Sequence, residues 1–235
     1  MGDLQNFLKV LYSGANTRLT LEQLAIKANR WADLAEKLFL RNEHSKMQQA
    51  VVMTCSWTFA VASGLNHSFD VHEELLSRFP GVCPYCGSCP CKGAECKASL
   101  STSRIAKDQL PELSHSARYG DVNAVQDMFG MIYPSNQLEK SIRKIAEETG
   151  ELLEALMHLA IGGDNGLSRI REEVCDVFAQ AFAVANLSAF RLIEVFGRTF
   201  ANGCPSCREF PCNKCQPGFI SVDVRSMTVA SPPKS

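Results

Sequence analysis

Apolar residues in this chain recur at intervals of three and four positions, which is the spacing that places them on one face of an α-helix. The clearest run contains Leu138, Ile142, Ile145, Leu152, Leu156 and Leu159. Neither half of the chain alternates apolar and polar residues with a period of two over a useful length. The pattern therefore predicts an all-α protein.

The periodic runs and the breaks between them predict two groups of four helices. In the first group the helices are expected at about 3–12, 20–41, 43–66 and 70–79, and in the second at about 121–132, 135–161, 166–187 and 189–200. Thr20 and Gln23 form a candidate capping box for the first long helix. A glycine-rich break at 162–166 separates the two long helices of the second group.

The two groups are related by an internal repeat. A shift of 121 residues, the separation between Cys83 and Cys204, superposes a set of cysteines and prolines. It brings Cys83, Pro84, Cys86, Pro90 and Cys91 onto Cys204, Pro205, Cys207, Pro211 and Cys212. Upstream apolar residues keep this register, as Phe69 and Phe190 do. A shift shared by several residue types is the signature of a duplication.

The repeat divides the chain into four parts. We expect two units at 1–98 and 120–220, joined by a polar, Ser-rich linker at 99–119. The remaining tail, 221–235, is expected to be disordered because it ends in a polar Ser-Pro-Pro-Lys-Ser run.

Nine of the eleven cysteines fall in two clusters. The second cluster has the C-x₂-C-x₄-C-x₂-C spacing of a tetrahedral thiolate zinc site; its members are Cys204, Cys207, Cys212 and Cys215. The first cluster offers Cys83, Cys86 and Cys91, completed by either Cys96 or Cys89. Disulfides, free thiols and an iron–sulfur cluster are the weaker alternatives. We predict about two structural zinc ions per chain, each tying the end of a unit to its bundle.

Composition and charge narrow the class of protein. Apolar residues make up 46% of the chain, which is enough for a sizeable core, and the net charge of −1 argues against a nucleic-acid-binding protein. No run approaches the roughly 18 apolar residues that span a bilayer, and the N-terminal residues do not resemble a secretory signal. We therefore expect a cytoplasmic protein that binds neither membranes nor nucleic acids.

Two pairs of carboxylates carry the most specific chemistry. Glu148 and Glu151 lie three residues apart, as do Glu173 and Asp176, so each pair shares one face of its helix. The surrounding residues are apolar, and this predicts that the acids point into the bundle. Converging carboxylates repel each other and resist ionisation. A hard cation such as Mg²⁺ or Mn²⁺ would relieve that repulsion.

The first unit has lost most of these acids. The corresponding positions are Arg30, Asp33, Val52 and Cys55. Apolar residues at two of them indicate that these positions face inward, and the sequence therefore predicts a site in the second unit only. The alternative is that the acids are ordinary surface charge with helical Glu–Lys pairs, such as Lys144 with Glu148.

Three short motifs in the second unit resemble those of MazG-like all-α nucleoside triphosphate pyrophosphohydrolases and their relatives, the dimeric dUTPases and dCTP pyrophosphatases. They comprise Lys144-x-x-Glu147-Glu148-x-Gly150-Glu151, Glu172-Glu173-x-x-Asp176 and Ala185-Asn186. The cysteine clusters depart from the common family pattern. The resemblance covers about 125–200 directly, and it extends to the first unit only as a decayed copy.

The resemblance implies hydrolysis of a nucleoside triphosphate to a monophosphate and pyrophosphate. Mg²⁺ would be held by Glu148, Glu151, Glu173 and Asp176, and we favour Glu148 as the group that activates water. The candidate substrate-binding residues are Lys144, Asn186, Arg169, Arg171, Trp31 and Trp57. Because the family site is usually completed by a second copy of the bundle, we expect an intramolecular pseudo-dimer, with further pairing into a homodimer left open.

Two other functions remain alternatives at this stage. One is a non-catalytic zinc-knuckle module that binds nucleotide, nucleic acid or protein, although few basic or aromatic residues accompany the cysteines. The other keeps the metal site for nucleotide sensing. The base and the sugar of the substrate are not revealed by the sequence.

Overall fold

The computed structural model describes residues 1–16, 18–65, 68–93, 96, 115–163, 165–213 and 215. These residues contain ten helices and no strand, which confirms the all-α prediction. The helices are α1 (Gly2–Leu11), α2 (Ser13–Asn16), α3 (Leu21–Leu40), α4 (His44–Gly64), α5 (Val71–Arg78), α6 (His115–Arg118), α7 (Val122–Ile132), α8 (Leu138–Ala160), α9 (Gly166–Leu187) and α10 (Leu192–Phe200).

All eight predicted helices are present, with ends within three residues of those expected. Thr20 forms the predicted capping box, since its side chain accepts from the Gln23 amide while the Gln23 side chain accepts from the Thr20 amide. The two additional helices, α2 and α6, are single turns too short for periodicity to reveal. The tail and most of the predicted linker lie outside the described residues.

The four long helices form the centre of the molecule. Helix α3 packs on α4 and α8 packs on α9, while α3 also contacts α8. Asn29 of α3 joins this contact by donating to the Ala146 carbonyl and the Thr149 hydroxyl of α8. Phe59 of α4 and Phe178 of α9 meet with ring centroids 4.5 Å apart. One continuous hydrophobic core therefore joins the first half (1–96) to the second half (115–215).

The short helices connect the halves in a crossed manner. Helix α1 packs on α4 and α7 on α9, each within its own half, whereas α5 packs on α9 and α10 on α4, each in the opposite half. Aromatic residues pack at both crossings. The ring centroids of Phe79 and Phe129 lie 5.0 Å apart, and those of Phe200 and Tyr12 lie 6.4 Å apart. Each half is thus completed by the last helix of the other.

The first cysteine knuckle (83–96) and the second cysteine knuckle (204–215) follow the same crossed path. The Cys91 amide donates to the Ile132 carbonyl at 2.7 Å, and the Cys212 amide donates to the Leu11 carbonyl at 2.6 Å. We expected each knuckle to tie its unit to its own bundle. These hydrogen bonds instead attach each knuckle to the opposite half, at the end of α7 or α1.

Matched hydrogen bonds accompany the crossed helices. The Gln5 side chain donates to the Phe69 carbonyl and accepts from the Val71 amide. Gln126, 121 positions later, donates to the Phe190 carbonyl and accepts from the Leu192 amide. These contacts are compatible with the predicted duplication, which stays a prediction.

Among the described helices, no single one is long and apolar enough to cross a bilayer, although α9 and α10, which meet at a bend of 100°, reach that length and composition as a pair.

Candidate active site

Three carboxylates meet where α8 packs on α9. We call Glu148 of α8 and Glu173 and Asp176 of α9 the acid cluster; one oxygen from each lies within 4.8 Å of the others. Glu148 is 7% exposed and Glu173 is 8% exposed, whereas Asp176 is half-buried. The two α9 acids share a face because they are three residues apart. Three acids thus converge at a site that is largely removed from water.

Burial makes this cluster reluctant to ionise. It raises the pKa of Glu148 to about 7, an effect that Asp176 increases and Lys144 opposes. Burial and the neighbouring charges of Glu151 and Asp176 raise the pKa of Glu173 to about 7. The pKa of Asp176 is also raised by burial, even though it is paired with an arginine. A bound cation would favour the ionised form of all three carboxylates and offset the cost of holding their charges together.

Glu151, the fourth predicted acid, lies at the edge of the cluster. It is half-buried one turn after Glu148 and interacts with Glu173 through a hydrogen bond and through charge. Its carboxylate is not part of the group that converges within 4.8 Å. The structure thus gathers three of the four predicted acids closely and keeps the fourth beside them.

Two predicted cationic residues reach the cluster from the second half. Lys144 lies 3.4 Å from Glu148 and 3.1 Å from Glu147. Arg169 lies 3.6 Å from Glu173, with Glu154 at 3.8 Å. Both cations are partly exposed, and this leaves them free to meet an incoming anionic group.

Arg171 does not join the cluster. Its guanidinium lies 3.3 Å from Glu74 of α5 and 5.2 Å from the centre of the Phe69 ring. These contacts hold the start of α9 against the crossed helix α5. Arg171 therefore serves the interface between the halves in this structure.

The cation that contacts the cluster most closely was not predicted from the sequence. Arg78, the last residue of α5, donates from Nε to Asp176 Oδ1 at 3.0 Å and from Nη2 to Asp176 Oδ2 at 2.7 Å. Its Nη1 lies 3.4 Å from Glu172. Arg78 comes from the first half, and the residues around it in the sequence do not indicate that it contacts Asp176. The sequence offers one hint, which is that the matching position in the second repeat, Thr199, carries no charge.

Three other predicted residues are placed elsewhere. Asn186 exchanges hydrogen bonds with Gln126, and it lies ten residues, or about 15 Å of helix, beyond Asp176. Trp57 stacks on Tyr12 with Lys27 over its ring. Trp31 packs partly buried against the core. The structure does not bring the Asn186 amide to the acid cluster, and the Tyr12 and Lys27 contacts of Trp57 lie in the first half.

The matching region of the first half is apolar. Val52 and Cys55 are fully buried, and burial raises the pKa of Cys55 to about 12. Among the residues that the structure describes, the first half has no second acid cluster able to hold a metal ion. The described acids that could bind a hard cation are thus confined to the second half.

Both cysteine knuckles have the geometry of a tetrahedral thiolate site. In the first, Cys83 and Cys96 sulfurs lie 3.5 Å apart and Cys86 and Cys91 sulfurs 3.9 Å apart. The corresponding pairs in the second knuckle, Cys204–Cys215 and Cys207–Cys212, lie 3.6 and 3.5 Å apart. Zinc–sulfur bonds of about 2.3 Å require sulfur separations of about 3.8 Å. The spacing is too long for disulfides, and the cysteines are free thiols.

In the first knuckle, Cys96 rather than Cys89 lies with the other three cysteines. Cys96 is buried and lies within 4.8 Å of Cys83, Cys86 and Cys91, whereas Cys89 is exposed and outside that group. Although burial opposes it, hydrogen bonds from the Lys92 and Ser88 amides lower the pKa of Cys86 to about 6, whereas burial raises the pKa values of Cys91 and Cys96. A thiolate at neutral pH is the form that binds zinc.

One comparison with known proteins gave a match. Residues 136–201 match the family model described as MazG nucleotide pyrophosphohydrolase domain. The matched segment includes α8, α9 and α10, and with them the whole acid cluster, whereas Arg78 and the first half lie outside it. Neither a curated protein nor a solved structure was found to match the chain.

Proposed function

We propose that this chain, whose residues 136–201 match the MazG nucleotide pyrophosphohydrolase family model, converts a nucleoside triphosphate to the monophosphate and pyrophosphate. The family supports a nucleotide pyrophosphohydrolase in general, and attack at the α–β phosphoanhydride is our more specific proposal. The observation that carries it is the convergence of Glu148, Glu173 and Asp176 within the matched segment. The chain would thus have one active site, in its second half.

The residues present fit a hard divalent cation. The cluster offers only carboxylate oxygens, the ligands that Mg²⁺ and Mn²⁺ prefer. The raised pKa values of Glu148 and Glu173 reflect charge that a cation would balance. We propose that these residues hold Mg²⁺ together with Asp176 and Glu151. When bound, the ion neutralises phosphate charge and stabilises the leaving pyrophosphate.

The protein's own groups would supply the proton transfer and the positioning. Glu148 is the proposed general base, because its carboxylate is buried within the cluster, where an attacking water would be held. Lys144 lies beside Glu148 and Arg169 beside Glu173, so both can donate to phosphate oxygens at the rim of the site.

We further propose that each cysteine knuckle holds one structural zinc ion. Four thiolates fill the tetrahedral positions and leave none open for a reacting water. Since each knuckle is hydrogen-bonded to the opposite half, the metal would stabilise the crossed arrangement of helices.

The first prediction tests the site itself. Wild-type protein with Mg²⁺ is expected to release pyrophosphate from at least one member of a panel of NTPs and dNTPs. Glu148→Gln and Asp176→Asn are expected to reduce kcat by at least about 100-fold, since each removes a charge that holds the metal or activates water. Pyrophosphate release, measured by a coupled assay, reports the result.

The matched control is Glu139→Gln, which removes an exposed carboxylate paired with Arg143 on the same helix. It is expected to retain activity within about twofold, as surface charges contribute little. Full activity in both cluster variants would reject the site. Absence of hydrolysis, together with salt-sensitive nucleic-acid binding, would favour the non-catalytic knuckle module.

A further inference from the structure

Arg78 forms a bidentate contact with Asp176, a proposed metal ligand. Its guanidinium donates to both oxygens of Asp176, at 3.0 and 2.7 Å, and its Nη2 also lies 3.5 Å from the Tyr85 hydroxyl in the first cysteine knuckle. The Arg78 side chain is 19% exposed and that of Asp176 is 17% exposed. A bidentate pair in such a place is among the stronger charge-assisted contacts in proteins.

The contact differs from those of the other cations at the cluster. Lys144 and Arg169 each approach one carboxylate of the acid cluster, at 3.4 and 3.6 Å, without a bidentate contact, and both come from the second half. Arg78 reaches Asp176 only because α5 crosses from the first half onto α9. The half that lacks the acids therefore contributes a cation to the half that has them.

Arg78 and a divalent cation have conflicting requirements at Asp176. Mg²⁺ needs a carboxylate oxygen at about 2.0–2.1 Å, while the guanidinium already engages both oxygens of this residue. Two cations at one carboxylate repel each other. Occupation of the cluster by a metal ion would therefore weaken the Arg78–Asp176 pair.

We propose that Arg78 exchanges partners during substrate binding: it pairs with Asp176 in the metal-free site and with a phosphate of the nucleoside triphosphate once a divalent cation is bound. The planar guanidinium matches phosphate oxygens as well as it matches a carboxylate. Tyr85, next to Arg78, is 54% exposed, so the Arg78 guanidinium lies near the protein surface. The identity of the ligand rests on the proposed function.

The first arm of the test measures Mn²⁺ binding to the full chain by calorimetry, without nucleotide. Arg78→Gln removes the competing charge and keeps a similar length, and it is expected to bind Mn²⁺ roughly tenfold more tightly than wild type. Arg78→Lys, which keeps the charge, is expected to remain close to wild type. Arg198→Ala, which removes an exposed arginine from the last turn of α10, is the control and should not change the affinity.

The second arm measures binding of a non-hydrolysable α,β-methylene triphosphate in the presence of saturating Mn²⁺. Arg78→Gln is expected to weaken nucleotide binding at least about tenfold. Arg78→Lys should be intermediate, because lysine keeps the charge but cannot form the planar bidentate contact of a guanidinium. Opposite signs in the two arms distinguish partner exchange from a merely structural role, which would weaken both.

Mn²⁺ affinity that stays equal or falls in Arg78→Gln would overturn the competition with the metal. Unchanged nucleotide affinity would overturn the phosphate contact. Failure of the proposed function gives a different result: wild type would then bind no triphosphate analogue, whereas the Mn²⁺ titrations of the Arg78 variants would still decide whether the two cations compete.

Discussion

At the scale of single residues, the acid cluster is where the sequence was most informative. The spacing of three between Glu173 and Asp176 fixes their common face, and that part of the site follows from helix geometry alone. Arg78 could not be found in this way, because its contact with Asp176 joins positions 98 residues apart. The roles of these residues in catalysis remain predictions.

The raised pKa values of Glu148 and Glu173 lead to the second prediction, which concerns stability. Both groups have a pKa of about 7 in the folded protein, against 4.5 for an ordinary glutamate. Between pH 4.5 and about pH 7, the native state therefore retains protons that the unfolded chain has already lost. Stability from this source is complete below pH 4.5, decreases as pH rises to about 7, and is flat above it.

Without added divalent cations, the free energy of unfolding is expected to fall by about 2 kcal/mol between pH 5 and pH 8, a figure reduced for solvent screening. Urea denaturation at a series of pH values measures it. Glu148→Gln should flatten the slope, while Glu139→Gln should leave it unchanged. A slope that is identical in wild type and Glu148→Gln would contradict the burial of an ionisable cluster.

At the scale of elements, periodicity and capping residues predicted the helices well. The sequence could not reveal the crossing of α5 and α10, because a helical pattern shows which face is apolar but not which helix will cover it. Nor could it show that the knuckles attach to the opposite half. The Cys91 and Cys212 amides donate to backbone carbonyl groups, and such contacts do not depend on the identity of the side chain.

The two knuckles provide the third prediction, because they lie in different surroundings. Tyr85 of the first knuckle neighbours Arg78, whereas Phe210 of the second stacks on Phe7 of α1 at 5.5 Å. Cys86→Ser and Cys207→Ser are matched by the repeat, and each is expected to lower zinc content by about one ion per chain. Only Cys86→Ser should raise the KM for nucleotide, by at least about threefold, because it loosens the support of Arg78.

Metal analysis and steady-state kinetics on the two variants make this comparison. Equal effects on KM would show that the first knuckle has no special relation to the site. Unchanged zinc content in both would remove the zinc proposal itself.

At the scale of the whole molecule, the halves share one core and exchange helices, and this leads to the fourth prediction. Both tryptophans, Trp31 and Trp57, belong to the first half, so their fluorescence reports mainly on that half. Circular dichroism reports on the helices of both. Because Phe59 and Phe178 join the halves within the core, urea unfolding curves from the two probes are expected to coincide.

Two separate transitions, with fluorescence changing before or after the dichroism, would contradict a shared core. Phe59→Ala provides a sharper version of the experiment. It is expected to cost about 3–5 kcal/mol and to shift both curves together.

The covalent link between the halves also has a consequence for how the protein behaves on dilution. An enzyme assembled from separate subunits loses activity when its concentration falls below the dissociation constant of the assembly. Here the arginine and the acids are parts of one polypeptide, so their encounter is intramolecular. The turnover number per molecule should therefore stay constant down to concentrations at which separate subunits would have dissociated.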